Sequence, residues 1–191
     1  MFAFKKEYFF IIENIKDINL SNKKKVNKFN IIYRNKKKNE NIKELLKFRS
    51  ICKAKRVNFF ISNNLELASK LKADGIYVSA FNKNLNINRL RYFKYKLIGS
   101  AHNIKELNVK ILQGCSKILF SRLFKTSYSN KLSYFGIIRY NLLKTNSFGD
   151  KLIPLGGIRL SNLNKLKTIN CDSFAILSEI KKKPAIISRL F

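Results

Sequence analysis

The chain has 191 residues and a formal net charge of +29, from 40 Lys and Arg against 11 Asp and Glu. Hydrophobic residues make up 46%, with 16 Phe and 8 Tyr, enough to fill a packed interior and to exclude an intrinsically disordered chain. No apolar run approaches the ~20 residues that span a bilayer, and three widely spaced cysteines without a CxxC exclude a disulfide or zinc framework.

The opening Met1-Phe2-Ala3-Phe4-Lys5-Lys6-Glu7 lacks the basic, apolar and small order of a secretory signal. The expected compartment is therefore the cytoplasm, with Cys52, Cys115 and Cys171 as buried thiols. Short branched or aromatic runs predict strands over 8–12, 30–34, 58–62, 75–79, 96–100, 117–121, 152–155 and 173–177. Amphipathic segments predict helices over 42–55, 65–72, 87–93, 104–113, 133–144 and 161–169, with a short one near Pro184, and 145–151 reads as a polar loop. Several strands are uninterrupted apolar runs, as parallel strands buried on both faces require.

One pattern recurs. Leu71-Lys72-Ala73-Asp74-Gly75-Ile76-Tyr77-Val78-Ser79 is repeated in kind by residues 112–121 and again by 169–178, each a helix end, a polar turn and a strand closing on serine. Eight strands alternating with helices in a single domain over 1–191 predict an α/β fold, a compact (βα)8 barrel. A doubly wound open sheet is the alternative, but no GxGxxG follows the first strand. In either fold the ligand end is the carboxyl end of the strands. Leu152-Ile153-Pro154-Leu155-Gly156-Gly157-Ile158, then a segment with Leu160, Leu163, Leu166 and Ile169 every third residue, then Phe174-Ala175-Ile176-Leu177-Ser178, form one βαβ unit. Its glycine pair and Ser178 are placed to hold a phosphate through backbone N–H groups and a hydroxyl.

The positive charge, taken alone, suits a polyanion. The excess is mostly lysine, spread along the chain beside abundant Asn, Ile and Phe, as AT-rich codons produce, and no nucleic-acid module accompanies it. The reading is of compositional drift and a field that favours phosphorylated small molecules, with no membrane partner. A basic module that binds nucleic acid is the distant rival.

Phe60-Ile61-Ser62-Asn63-Asn64-Leu65-Glu66-Leu67-Ala68, Ala73-Asp74-Gly75-Ile76-Tyr77-Val78, Ile98-Gly99-Ser100-Ala101-His102, Phe124-Lys125-Thr126-Ser127, Leu155-Gly156-Gly157-Ile158 and Ala175-Ile176-Leu177-Ser178 together resemble the thiamine phosphate synthases and their TenI relatives. The resemblance implies a (βα)8 barrel. It also implies a transferase that joins hydroxymethylpyrimidine diphosphate to thiazole phosphate with Mg²⁺ and releases pyrophosphate. TenI-type members instead aromatise the thiazole by moving a proton, so a tautomerase or a non-catalytic thiazole phosphate-binding relative is the alternative.

By the same resemblance, Arg34, Lys36 and Ser100 face the diphosphate, and Thr126, Gly156, Gly157 and Ser178 hold the thiazole phosphate. The pattern departs at Ile32, where the family has Gln, and at Ser129, where it has Lys; Lys131 lies two residues on. Asn63 and Asn82 stand where synthases place Mg²⁺-binding aspartates, so the metal would be weakened, because amide oxygens bring no charge. His102, the one histidine, falls where TenI-type members carry their proton-transfer imidazole, a group suited to acid–base work near neutral pH.

Overall fold

The computed structural model describes residues 7–20, 28–35, 41–126 and 133–177. Its strands are β1 (Glu7–Ile12), β2 (Phe29–Tyr33), β3 (Asn58–Ser62), β4 (Gly75–Val78), β5 (Lys96–Ala101), β6 (Lys117–Ser121), β7 (Leu152–Leu155) and β8 (Ser173–Ile176). Each pairs in parallel with its successor, and β8 pairs with β1, so the sheet closes into a (βα)8 barrel as the sequence predicts.

The two-residue period of the strands sorts side chains into two shells. Phe9, Ile11, Ile32, Phe60, Tyr77, Ile98, Leu119, Ile153, Leu155 and Ala175 form one cluster inside the barrel. Their neighbours of opposite parity, among them Phe10, Ile12, Ile31, Phe59, Ile118 and Phe174, pack beneath the outer layer. Tyr8 stacks on Phe29 with ring centroids 5.1 Å apart, and Phe29 on Phe10 at 5.0 Å. Each such side chain contributes about 1.5–3 kcal/mol by leaving water.

The outer layer holds α1 (Ile42–Ala54), α2 (Leu65–Lys70), α3 (Ile104–Leu112) and α4 (Ile137–Leu143). Asn41, Asn64 and Asn103 cap the first three, each side-chain oxygen accepting from N–H groups of the first turn. The expected helices over 87–93 and 161–169 are instead 3₁₀ runs, Leu85–Phe93 and Leu160–Thr168. The reason is visible in their spacing. Ile87 and Leu90, and Leu163, Leu166 and Ile169, face the core every third residue, which matches three residues per turn better than 3.6.

The helix expected from 133 begins only at Ile137. Phe135 and Gly136 donate their N–H groups to Arg122 and Leu123 carbonyls at 2.8 and 3.0 Å, and that pairing, with Gly136 at φ +80°, keeps them out of the helix. Residues 144–151 are not the expected polar loop: a π turn, Lys144–Phe148, leads into a 3₁₀ turn, Gly149–Lys151. Phe148 is buried there, and Lys144 pairs with Asp150 at 3.1 Å.

The repeated turn also has a physical basis. Asp74 accepts from the Phe59 N–H at 2.7 Å and pairs with Arg49 at 2.9 Å, fixing the α2–β4 connection. A Cβ on Gly75 would lie 2.1 Å from the Lys96 carbonyl, so only glycine fits there. All three cysteines are buried and free of disulfides. Burial pushes the Cys52 and Cys115 thiols up to about 12, marking them as packing groups. Among the described residues no helix is long and apolar enough to cross a membrane.

Candidate functional site

At the carboxyl end of the strands the interior parity turns polar. The register that buries Ile32, Phe60, Ile98 and Leu119 brings Arg34, Ser62, Ser100 and Ser121 to the same inner side one step later, with Ser79 just past β4. Ser100 bonds the buried Tyr77 phenol; burial raises the Tyr77 pKa, while the Ser100 bond and the Arg34 charge oppose the rise. Ile32, where the family has Gln, belongs to the apolar layer beneath.

Two orphaned atoms stand out at this rim. Arg34 Nη2 lies 3.5 Å from Glu13 Oε1, but its Nε is buried without a hydrogen-bond partner among the described residues. Thr126 Oγ1 is buried and unpartnered in the same way. Buried polar groups left unpaired cost free energy, so two donors at one rim suit a ligand that accepts. A third orphan, Glu7 Oε2, sits at the amino end, 3.8 Å from Lys117 Nζ. There a cleft of about 510 Å³ opens between Lys28, Lys117 and Lys144 on one hand and Glu7 and Asp150 on the other. Lys117 and Lys144 are already engaged with Glu7 and Asp150, and the cleft lies at the opposite end from the residues the sequence singled out.

The glycine pair after β7 is tightly built. Gly156 and Gly157 have φ of +95° and +70°. The Leu123 N–H donates to Leu155 O at 2.9 Å and the Phe124 N–H to Gly156 O at 3.1 Å, so the turn is laid against the strand leading to Thr126. A Cβ on Gly157 would meet Phe124 O at 2.6 Å. Asn162 completes the lock: its Nδ2 donates to Gly157 O at 2.8 Å, and its Oδ1 accepts from the Arg159 N–H at 2.8 Å. Sequence reading passed over Asn162, because Arg159-x-x-Asn162 is not the Ser/Thr-x-x-Glu/Gln pattern that marks a helix start.

Asn63 and Asn82 come together, as the sequence suggests, within one hydrogen-bonded cluster. Asn63, at φ +51°, accepts on Oδ1 from the Ser79 N–H at 3.1 Å and from Asn82 Nδ2 at 3.3 Å. Its Nδ2 donates to Ser79 Oγ at 2.8 Å, and Asn82 Oδ1 accepts from the Asn84 N–H at 3.0 Å. Backbone N–H groups only donate, so they fix which end of each amide is oxygen. Asn63 Oδ1 thus accepts two hydrogen bonds and Asn82 Oδ1 one. Among the described residues no cluster of three or more His, Cys, Asp and Glu could hold a metal. These residues do not fit a carboxylate-held Mg²⁺.

The same loop is held from below by residues that sequence reading missed. Lys110 is fully buried, and its Nζ donates to Asn82 O at 2.6 Å and to Gln113 Oε1 at 2.8 Å. Gln113 Nε2 donates in turn to Asn82 O and Asn84 O at 2.9 and 3.0 Å. Burial lowers the Lys110 pKa.

His102 lies two residues beyond Ser100 at the end of β5. Glu106 Oε2 accepts from the His102 N–H at 2.7 Å and lies 3.0 Å from Nδ1, which orients the ring. Burial opposes ionisation of Glu106, but its bonds to His102 and Asn103 outweigh burial and hold its pKa below the usual value. The Phe81 ring is 6.2 Å from the imidazole. Lys36, Ser129, Lys131 and Ser178 lie outside the described residues.

The fold and this rim define a (βα)8 barrel with its polar site at the carboxyl ends of the strands. The chain belongs to the thiamine monophosphate synthase family, whose model matches residues 23–180. The thiamine-phosphate synthase of a Prochlorococcus marinus strain is 30% identical over 148 residues, which cover 74% of this chain and 41% of that protein. That of Staphylococcus carnosus is 27% identical over 142 residues, 72% of this chain and 66% of its own length. The chain thus spans about two fifths of the Prochlorococcus relative. Among solved structures, thiamine phosphate pyrophosphorylase from Pyrococcus furiosus superposes with a TM-score of 0.67 at 14% identity, covering 100% of both chains, a likeness of fold.

Proposed function

We propose that the chain is a transferase of the thiamine phosphate synthase kind, joining a pyrimidine diphosphate to a thiazole phosphate. The observation that carries this reading is the buried Nε of Arg34, without a hydrogen-bond partner among the described residues, at the inner rim of a barrel from this family. A guanidinium with a free N–H is suited to a diphosphate oxygen, which accepts charge-assisted hydrogen bonds. Arg34, Lys36 and Ser100 would hold the departing diphosphate. Thr126, the Gly156–Gly157 turn and Ser178 would hold the thiazole phosphate.

In the reaction the thiazole nitrogen lone pair forms a bond to the pyrimidine methylene carbon. The carbon–oxygen bond to the diphosphate breaks, and its electron pair leaves on pyrophosphate. No proton has to move. The protein's task is to align nitrogen, carbon and leaving oxygen and to meet charge growing on the leaving group, here with its own cations. The substrates are phosphorylated small molecules, and the proposed compartment is the cytoplasm.

Two variants test the division of labour. Arg34→Met should weaken use of the pyrimidine diphosphate with little change in KM for the thiazole phosphate, and Thr126→Val should do the reverse. Equal effects of both variants on both substrates would refute the assignment.

The His102–Glu106 pair favours a second reading, a TenI-like thiazole tautomerase, because a carboxylate at Nδ1 fixes the tautomer of an acid–base histidine. On that reading His102→Ala abolishes proton transfer while thiazole phosphate still raises the melting temperature. An unaffected tautomerisation rate removes it.

A further inference from the structure

We propose that Asn63 and Asn82 form a hydrogen-bonded clasp that closes the β3–β4 side of the mouth without a divalent cation. Asn82 Nδ2 donates to Asn63 Oδ1 across 3.3 Å, where two carboxylates would oppose each other and call for a cation. Neither amide is free to turn away. The Ser79 N–H pins Asn63 Oδ1, and the Asn84 N–H pins Asn82 Oδ1.

The backbone of the clasp is itself tied to a buried positive charge, the Lys110 ammonium, 2.6 Å from Asn82 O. A fixed cation just beneath the loop further disfavours an ion bound close by. Hydrogen bonds and one buried lysine therefore hold the β3 and β4 loops together. The clasp stands on these contacts alone. Only its consequence rests on the transferase reading, namely that a bound diphosphate is neutralised by side chains such as Arg34.

The test is to restore the charges. In Asn63→Asp/Asn82→Asp the Ser79 and Asn84 N–H bonds are retained, and the amide–amide bond becomes a carboxylate–carboxylate contact. Mn²⁺ is titrated into native and double-variant protein without substrates, and the free ion is read by electron paramagnetic resonance. The double variant should take up about one ion, at least about tenfold more tightly than the native chain, because carboxylate charge sets the affinity of such sites. Its melting temperature should fall in EDTA and recover with Mg²⁺, while that of the native chain is the same in both.

A native chain that binds Mn²⁺ as tightly as the double variant overturns the proposal. So does a double variant that is as stable in EDTA as the native chain and takes up no ion. Should the double variant not fold, Asn82→Asp alone decides: it sets a carboxylate oxygen against the pinned Asn63 Oδ1 and must lower the melting temperature in EDTA, and an unchanged value overturns the clasp. None of these readouts involves turnover, so they stand or fall apart from the transferase assignment.

Discussion

The two sides of the barrel mouth are built on opposite principles. On the β3–β5 side the polar groups satisfy one another: Asn63 with Asn82 and Ser79, Lys110 and Gln113 with the Asn82–Asn84 backbone, His102 with Glu106. On the β6–β7 side the backbone is tightly locked, with Gly157 against Phe124, yet among the described residues the Thr126 hydroxyl has no hydrogen-bond partner, nor has Arg34 Nε across the mouth just past β2. A self-satisfied polar network rigidifies a loop and offers little to a ligand. Locked backbone beside idle donors is the arrangement of a preformed site. The comparison separates a side of the mouth whose polar groups are spent on one another from a side that keeps donors for an incoming group.

The largest effect should come from Gly157→Ala. The new Cβ would crowd Phe124 O at 2.6 Å on a backbone at φ +70°, for a cost of about 2–4 kcal/mol in urea unfolding. For the same reason a charge placed at Gly157, as in Gly157→Asp, would report packing before it reported electrostatics. A stability loss under about 1 kcal/mol would break the claim that this turn is locked.

Next comes Lys110→Met, which deprives Asn82 O and Gln113 Oε1 of a buried ammonium donor and should cost about 1–3 kcal/mol. A neutral outcome would mean that the loop does not need its support. Asn162→Ala removes one bond to the glycine turn and one to the Arg159 N–H and should cost about 1 kcal/mol, with weaker thermal protection by thiazole phosphate. Unchanged protection would uncouple that turn from the ligand.

The smallest effect concerns pH. The folded pKa of Glu106 lies below 4.5, so its ionised form favours the folded state. That contribution is present above the unfolded value and is lost as pH falls through the folded one. Native stability should therefore drop more steeply in this acid range than that of Glu106→Gln, as comparison of the two by urea unfolding between neutral and acid pH would reveal.

Much of this was legible in the residues because the barrel is written in short apolar runs whose ends coincide with polar turns. The i, i+3 spacing of Leu163, Leu166 and Ile169 even carried the 3₁₀ period, though a helix was the natural reading. The glycine pair and the closing serines gave away the mouth. What stayed hidden was which of many similar side chains turns inward. In a chain with 40 Lys and Arg, Lys110 looks like any solvated lysine, and only the packing of α3 on the β4 loop buries it. Likewise Asn63 and Asn82 read as weakened metal ligands until the Ser79 and Asn84 N–H groups fix how their amides face each other.

The most direct measurement is thiamine phosphate formation by the purified chain, supplied with hydroxymethylpyrimidine diphosphate, thiazole phosphate and Mg²⁺ and read as thiochrome fluorescence. The account predicts product above the enzyme-free background, lost in Arg34→Met. A folded chain that thiazole phosphate protects thermally but that yields no product would contradict it.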